Sequence, residues 1–232
     1  MNWKRYLRIM STKAKKRNYH HAFQKRWEGL PLTEEEAELL KRPVDAKGIK
    51  DMTHELRPPM ETTYDKRHET TFRELAGLLR GRKKVIVNDI GYGEPGFSMS
   101  RTKQPWDLID TLEKSGTGVD YWGYDYYPLK AKITEKQKPE KYKEKTMFGS
   151  MDIVTATPSR KADVTVFLNV KYYLTKDEKE VAVKHIVDST KKGGYIVTDV
   201  EPNKIEDKRI KLEKRVEEEK THRIKYIYKR IK

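Results

Sequence analysis

The chain has no cysteine, which excludes disulfide frameworks, cysteine-ligated zinc, iron–sulfur clusters and thiol catalysis. It also lacks any uncharged apolar run near the ~18 residues that a transmembrane helix needs, so no membrane span is expected. The opening residues Met1-Asn2-Trp3-Lys4-Arg5 have no apolar segment behind them, so no secretory signal is expected and a cytoplasmic protein is. Apolar residues are scarce, at 35% against 38% charged. In 232 residues that supplies one core of about 150 residues and little for a second. The balance of 51 Lys and Arg against 36 Asp and Glu leaves a formal net charge of +15.

Negative charge is missing altogether from residues 1–27, where nine cations stand: Lys4, Arg5, Arg8, Lys13, Lys15, Lys16, Arg17, Lys25 and Arg26. Trp3, Tyr6, Tyr19, Phe23 and Trp27 are interleaved with them. Cations among planar side chains suit a polyanion, because phosphates attract the charge and exposed rings stack on bases. A nucleic acid, RNA foremost, is the expected partner of this arm. Docking of the extension on the main domain or its flexibility, or an acidic protein or membrane surface as partner, is the competing reading.

Residues 1–61 read as a basic, largely helical extension and 62–232 as the main domain. Thr33 and Glu36 form a capping-box pair at the start of a short helix, and Pro58-Pro59 mark a linker. A helix is expected over residues 66–80, with Phe72, Leu75 and Leu79 on one face and Gly81 as its stop. Beyond Gly81 the pattern alternates strand and helix. Residues 85–89, 119–125, 164–168 and 195–199 are short apolar runs of the buried parallel type. A capping box at Thr175–Glu178 opens a helix expected to end at Gly193-Gly194. Several such units in series make a doubly wound, mostly parallel α/β sheet with helices on both faces. Residues 130–145 read as an exposed Lys/Glu excursion, 204–220 as a helix through Ile205, Leu212 and Val216, and 223–231 as a closing strand.

Directly after the first of these strands comes Gly91-Tyr92-Gly93-Glu94-Pro95-Gly96, a glycine loop of the kind that lets backbone approach a ligand. Asp89 ends the strand and Glu94 lies inside the loop. A diphosphate would face two carboxylates, a repulsion of a few kcal/mol at ~4 Å in a partly buried site. A cationic ligand would be favoured instead, and S-adenosylmethionine carries both an ammonium and a sulfonium. Asp125 closes the next strand, where it would accept hydrogen bonds from ribose hydroxyls. Asp152 is spaced for an adenine-side contact, with a strand-end turn as its alternative. Asn169 ends a third strand, where open sheets place the reacting end of a ligand. Tyr172, three residues on, would stack an acceptor base or pack in the wall. None of the six histidines falls into a metal-ligand spacing, and methyl transfer needs no metal.

With these residues in hand, the stretch 72–199 resembles the class I, Rossmann-like S-adenosylmethionine-dependent methyltransferases. Asp89-Ile90-Gly91-Tyr92-Gly93 is similar to the family's acid-x-Gly-x-Gly motif, Asp125 to its ribose-binding acid, Asp152 to its adenine-side acid, and the run from Val166 to Tyr173 to its strand-four motif. The resemblance implies cofactor binding by Asp89, Gly91, Gly93, Glu94, Asp125, Asp152 and Asn169, with Asn169 and Tyr172 toward the acceptor. Two fragments, residues 93–98 and Asn169-Val170 with Tyr173, are also similar to the chemotaxis-receptor carboxyl methyltransferases. Leu168 stands where those enzymes have arginine. Asn169 lacks the prolines that follow it in base methyltransferases, and no Lys-Asp-Lys-Glu set for ribose methylation is evident. Three functions remain: a nucleic-acid methyltransferase, a protein carboxyl methyltransferase, and a methyltransferase-fold binding protein without turnover.

Overall fold

A computed structural model describes residues 31, 33–36, 67–92, 104–126, 128–205, 207–219 and 221–232. The chain divides into two units, Met1–Thr62 with Tyr173–Thr175, and Thr63–Tyr172 with Lys176–Lys232. In the first, the capping box forms as expected. The Glu36 N–H donates to Thr33 Oγ1 at 3.2 Å, and the Thr33 N–H donates to Glu36 Oε2 at 2.8 Å. The basic arm from Lys4 to Arg26 lies outside the described residues.

The second unit is a seven-stranded sheet flanked by helices. In chain order its elements are α1 (Glu69–Leu78), β1 (Lys84–Ile90), α2 (Gln104–Lys114), β2 (Gly118–Asp125), α3 (Pro128–Gln137), β3 (Thr146–Ser150), β4 (Ala162–Phe167), α4 (Lys176–Ser189), β5 (Thr190–Thr198), β6 (Ile210–Glu217) and β7 (Ile224–Arg230). The strand order is β3-β2-β1-β4-β5-β7-β6, parallel from β3 to β5, with β7 antiparallel to both β5 and β6. The expected doubly wound Rossmann-like sheet is therefore present. Its last two strands form an antiparallel hairpin, with β7 against β5 in place of a sixth parallel strand.

The winding follows from handedness. The chain steps from β1 to β2 in one direction and from β4 to β5 in the other, so right-handed crossovers place α2 and α4 on opposite faces. One face is sealed by Phe72 and Leu75 of α1 and by Leu108, Ile109 and Leu112 of α2. They close over Val85, Val87, Val119, Tyr121, Val164, Val166, Tyr195, Val197 and Ile227. On the other face the buried side of α4 carries Ala182, Ile186 and Val187. There the Thr165 and Thr190 hydroxyls lie 2.7 Å apart, and Thr190 also donates to the Ile186 carbonyl. No helix among the described residues is long and apolar enough to cross a membrane.

Three local expectations are corrected. The segment expected as a helix over 204–220 holds strand β6. Its apolar residues Leu212 and Val216 are four apart, which suits period two as well as 3.6, and pairing with β7 decides between them. The helix expected to reach Gly193-Gly194 ends at Ser189, and both glycines lie in β5. Gly193 has φ +76, and a Cβ on Gly194 would meet the Asp163 carbonyl oxygen at 2.8 Å, so the pair forms an irregularity in the β4–β5 register. The Lys/Glu stretch 130–145 is no excursion. Tyr142 is buried, stacks on Trp106 at 4.4 Å between ring centroids, and donates to Asp110 Oδ1 at 2.8 Å. One aromatic anchor overrides the polar composition around it.

Replacing Tyr142 with alanine should lower stability by about 3 kcal/mol, because it opens a cavity under Trp106 and strips Asp110 of a donor. Chemical denaturation of the two proteins gives the difference, and a change below 1 kcal/mol would show the segment to be dispensable.

Candidate functional site

The carboxyl ends of parallel strands flank a topological switch between β1, which pairs with β2 on one side, and β4 on the other. Four polar residues from different strands reach this rim: Asp89 from β1, Asp125 from β2, Asn169 just past β4, and Asp199 just past β5. Val85 and Val87 of β1 and Tyr195 and Val197 of β5 belong to the α1/α2 face. By strand alternation Asp89 and Asp199 project to that same face.

Asp89 is fully buried. Gln104 Nε2 donates to both of its carboxylate oxygens at 3.2 Å, and the Tyr121 hydroxyl donates to Oδ2 at 2.6 Å. Burial pushes its pKa up to about 6, against the opposing pull of those two donors and of Arg67. Gln104, the first residue of α2, also accepts from Arg67 Nη2 at 3.2 Å on its Oε1. A chain Arg67–Gln104–Asp89–Tyr121 thus ties the approach to α1, the start of α2 and two strands together. Sequence reasoning found Asp89 but missed Gln104, whose signal was its place at the head of a helix opposite an apolar strand.

Gly91 turns the chain out of β1 with φ +74, and its N–H donates to the Tyr124 carbonyl at 2.7 Å. A side chain there would run into Val170, so the exit of β1 and the turn after β4 pack against one another. Gly93 and Glu94 lie outside the described residues. Asp125 is buried at the tip of β2, and its carbonyl accepts the Met151 N–H at 2.9 Å. Asp152 takes the turn role weighed for it: Oδ1 accepts the Val154 N–H at 3.0 Å, and its carbonyl accepts from Thr155 and Ala156. His185 Nδ1, at 2.7 Å from the Ile153 carbonyl, pins that turn to α4.

Asn169 sits in the left-handed region, with φ +63, and its Nδ2 lies 3.3 Å from Nε2 of His68. Asparagine tolerates this conformation better than most side chains. Tyr172 follows in a short 3-10 turn, Val170–Tyr173, and its side chain lies outside the described residues. His68 caps α1 by backbone only. Burial, then the charges of Arg67, Lys225 and Arg223, hold its pKa well below the usual histidine value, so it is neutral at physiological pH. The cap itself comes from elsewhere in sequence. Glu218, beyond β6, accepts the Thr70 and Thr71 N–H groups at 3.2 and 3.1 Å, together with the Thr71 hydroxyl. A carboxylate at that end also complements the helix dipole.

Two more buried charges complete the rim. Asp199 is 2% exposed, its carbonyl accepts from Lys171 Nζ, and the same ammonium stands 3.8 Å from Oδ2. Lys225 of β7 is 1% exposed, and burial pulls its pKa down to about 8. His68, Asp199, Lys171 and Lys225 were not singled out from sequence, because they stand at the ends or starts of four different elements and nothing local marks them as neighbours.

Since the folded-state pKa of Asp89 is raised, the protein should lose stability as pH climbs from about 4 to about 6, by roughly 3 kcal/mol from this group. An Asp89→Asn variant lacks that loss. The stability of wild type relative to Asp89→Asn should therefore fall by this amount between pH 4 and pH 7 in denaturant titrations. A constant difference would mean that Asp89 is not desolvated.

No family model and no curated protein matches the chain. Solved structures do. The N-methyltransferase NodS from Bradyrhizobium japonicum WM9, in complex with S-adenosyl-L-homocysteine, aligns at TM-score 0.56 and 15% identity, over 79% of this chain and 98% of its own. An S-adenosylmethionine-dependent methyltransferase from Clostridium acetobutylicum ATCC 824 aligns at 0.53 and 12%, over 79% and 99%. The pyocyanin biosynthetic protein PhzM aligns at 0.52 and 13%, over 93% and 70%. The likeness to chemotaxis-receptor carboxyl methyltransferases gains no support from them. At these identities the shared property is architecture: the main domain has the Rossmann-like fold of the class I S-adenosylmethionine-dependent methyltransferases.

Proposed function

We propose that the protein is an S-adenosylmethionine-dependent methyltransferase acting on RNA or another nucleic acid. The observation that carries the first half is the acidic rim at the switch point: Asp89 and Asp125 flank Gly91, whose left-handed turn leaves no room for a side chain. A diphosphate brought there would meet like charge, at a cost of about 4 kcal/mol per close pair at an effective dielectric near 20. A ligand with an ammonium, a sulfonium and ribose hydroxyls meets opposite charge and acceptors. Asp125 would take the ribose, Gly91 and the Asp89 network would shape the floor, and Asn169 would border the acceptor. When bound, the cofactor supplies an activated methyl group on a sulfonium that leaves as a neutral thioether. The chain's own task is to align an acceptor with that methyl and exclude water. The second half rests on composition alone, on nine cations without a single acid in residues 1–27.

Asp125→Ala should weaken S-adenosylhomocysteine binding by about tenfold or more in calorimetry, the loss of a hydrogen-bonded charge. No heat from the wild-type protein at millimolar ligand would favour a methyltransferase fold without turnover. Deleting residues 1–27 should leave that binding intact and flatten the salt dependence of RNA affinity, since for each tenfold rise in salt log K falls by roughly 0.7 per neutralised phosphate of a single strand. An unchanged slope would remove the arm from the proposal. An alkali-labile methylated product would assign a protein carboxyl acceptor instead.

A further inference from the structure

We infer that Glu135 and Lys138 stand in for a neighbouring strand at the β3 border, and that this side-chain plug keeps the chain from pairing with β3 of a second copy of itself. β3 is the outermost strand on the parallel side of the sheet. The opposite border, β6, is lined by charged side chains, whereas β3 reads Thr-Met-Phe-Gly-Ser and carries none. A border of that composition is a template for another strand unless something covers it. Backbone groups of successive strand residues point to opposite sides. The Met151 N–H, at the end of β3, donates to the Asp125 carbonyl of β2. The odd-numbered residues therefore face inward, and Thr146, Phe148 and Ser150 face out.

Two of these outward groups are taken by side chains. Glu135 Oε2, near the end of α3, accepts the Phe148 N–H at 3.0 Å, and Lys138 Nζ donates to the Thr146 carbonyl at 2.8 Å. A residue of a parallel strand laid alongside would offer the same acceptor and donor. The pair holds itself together at 2.5 Å, and the Lys138 side chain is only 9% exposed, so it is seated against the strand. The occupant that fits this border once the pair is withdrawn is the same border of a second copy. The outward residues are symmetric about Phe148. A two-fold axis there sets Phe148 against its own copy, each exchanging N–H and C=O, and Thr146 against Ser150. No like charges meet within the strands, and Met147, 53% exposed, adds apolar surface. The Phe148 N–H at the centre of that pairing is the group Glu135 occupies, so plug and partner are mutually exclusive.

A pair that merely tied α3 to the sheet would affect stability and nothing else, and sedimentation of the full chain over a concentration series separates the two roles. The double variant Glu135→Ala, Lys138→Ala should associate at about tenfold lower concentration than wild type, because the backbone groups it frees become available to a partner strand. Glu135→Gln keeps an acceptor for the Phe148 N–H and should sediment as wild type does. Adding Met147→Lys to the double variant places charge on the border and should return it to wild-type behaviour. Amide exchange gives a second readout. The Phe148 N–H should be protected in wild type at every concentration, and in the double variant only where that variant associates. Association unchanged by the double substitution, or association that survives Met147→Lys, overturns the inference. Should the double variant not fold, Glu135→Ala alone frees the Phe148 N–H and is held to the same two results.

Discussion

A carboxylate with no access to water has to find its donors inside the protein, and the end of β1 is organised around that requirement at Asp89. Tyr121 supplies one donor from the neighbouring strand, and Gln104 supplies the other from the first residue of α2. Gln104 can do so only because its own oxygen is occupied by Arg67. The helix that follows β1 is thereby held at one rotation and one height over the sheet. A residue that reads in sequence as a ligand contact is, in the folded chain, a joint between β1, β2 and the start of α2.

The antiparallel hairpin at the sheet's far edge does comparable work at the ends of β4 and β5. Because β7 runs against β5, its first residues lie at the carboxyl rim, and Lys225 arrives beside Asp199. Just beyond β6, Glu218 reaches α1 and satisfies amides that His68 leaves open. The start of α1 is thus fastened from both sides, by Arg67 to Gln104 and by Glu218 to Thr70 and Thr71. His68, between those fastenings, has little freedom to choose where its ring points.

Much of this was legible in the sequence, for physical reasons. Buried parallel strands advertise themselves as short apolar runs, and the strand at 85–89, the capping box at Thr33, and the acids at Asp89 and Asp125 follow from local chemistry. The misreadings share one cause. Whether Leu212 and Val216 lie on a helix or a strand, whether Gly193 ends a helix or bends a strand, and whether Tyr142 is covered are all settled by neighbours distant in the chain. The same holds just past β4. His68 and Asn169 lie 101 positions apart, and their pairing exists only once the sheet has wound.

The outer strand β6 shows what composition can do where packing cannot. Lys211, Glu213, Lys214, Arg215 and Glu217 are all exposed along it, and only Val216 is buried. A strand from another molecule that tried to zip onto this border would have to dehydrate that fringe of charge. Open sheet borders are templates for runaway self-association, and among the described residues this fringe of charge is what lines the β6 border.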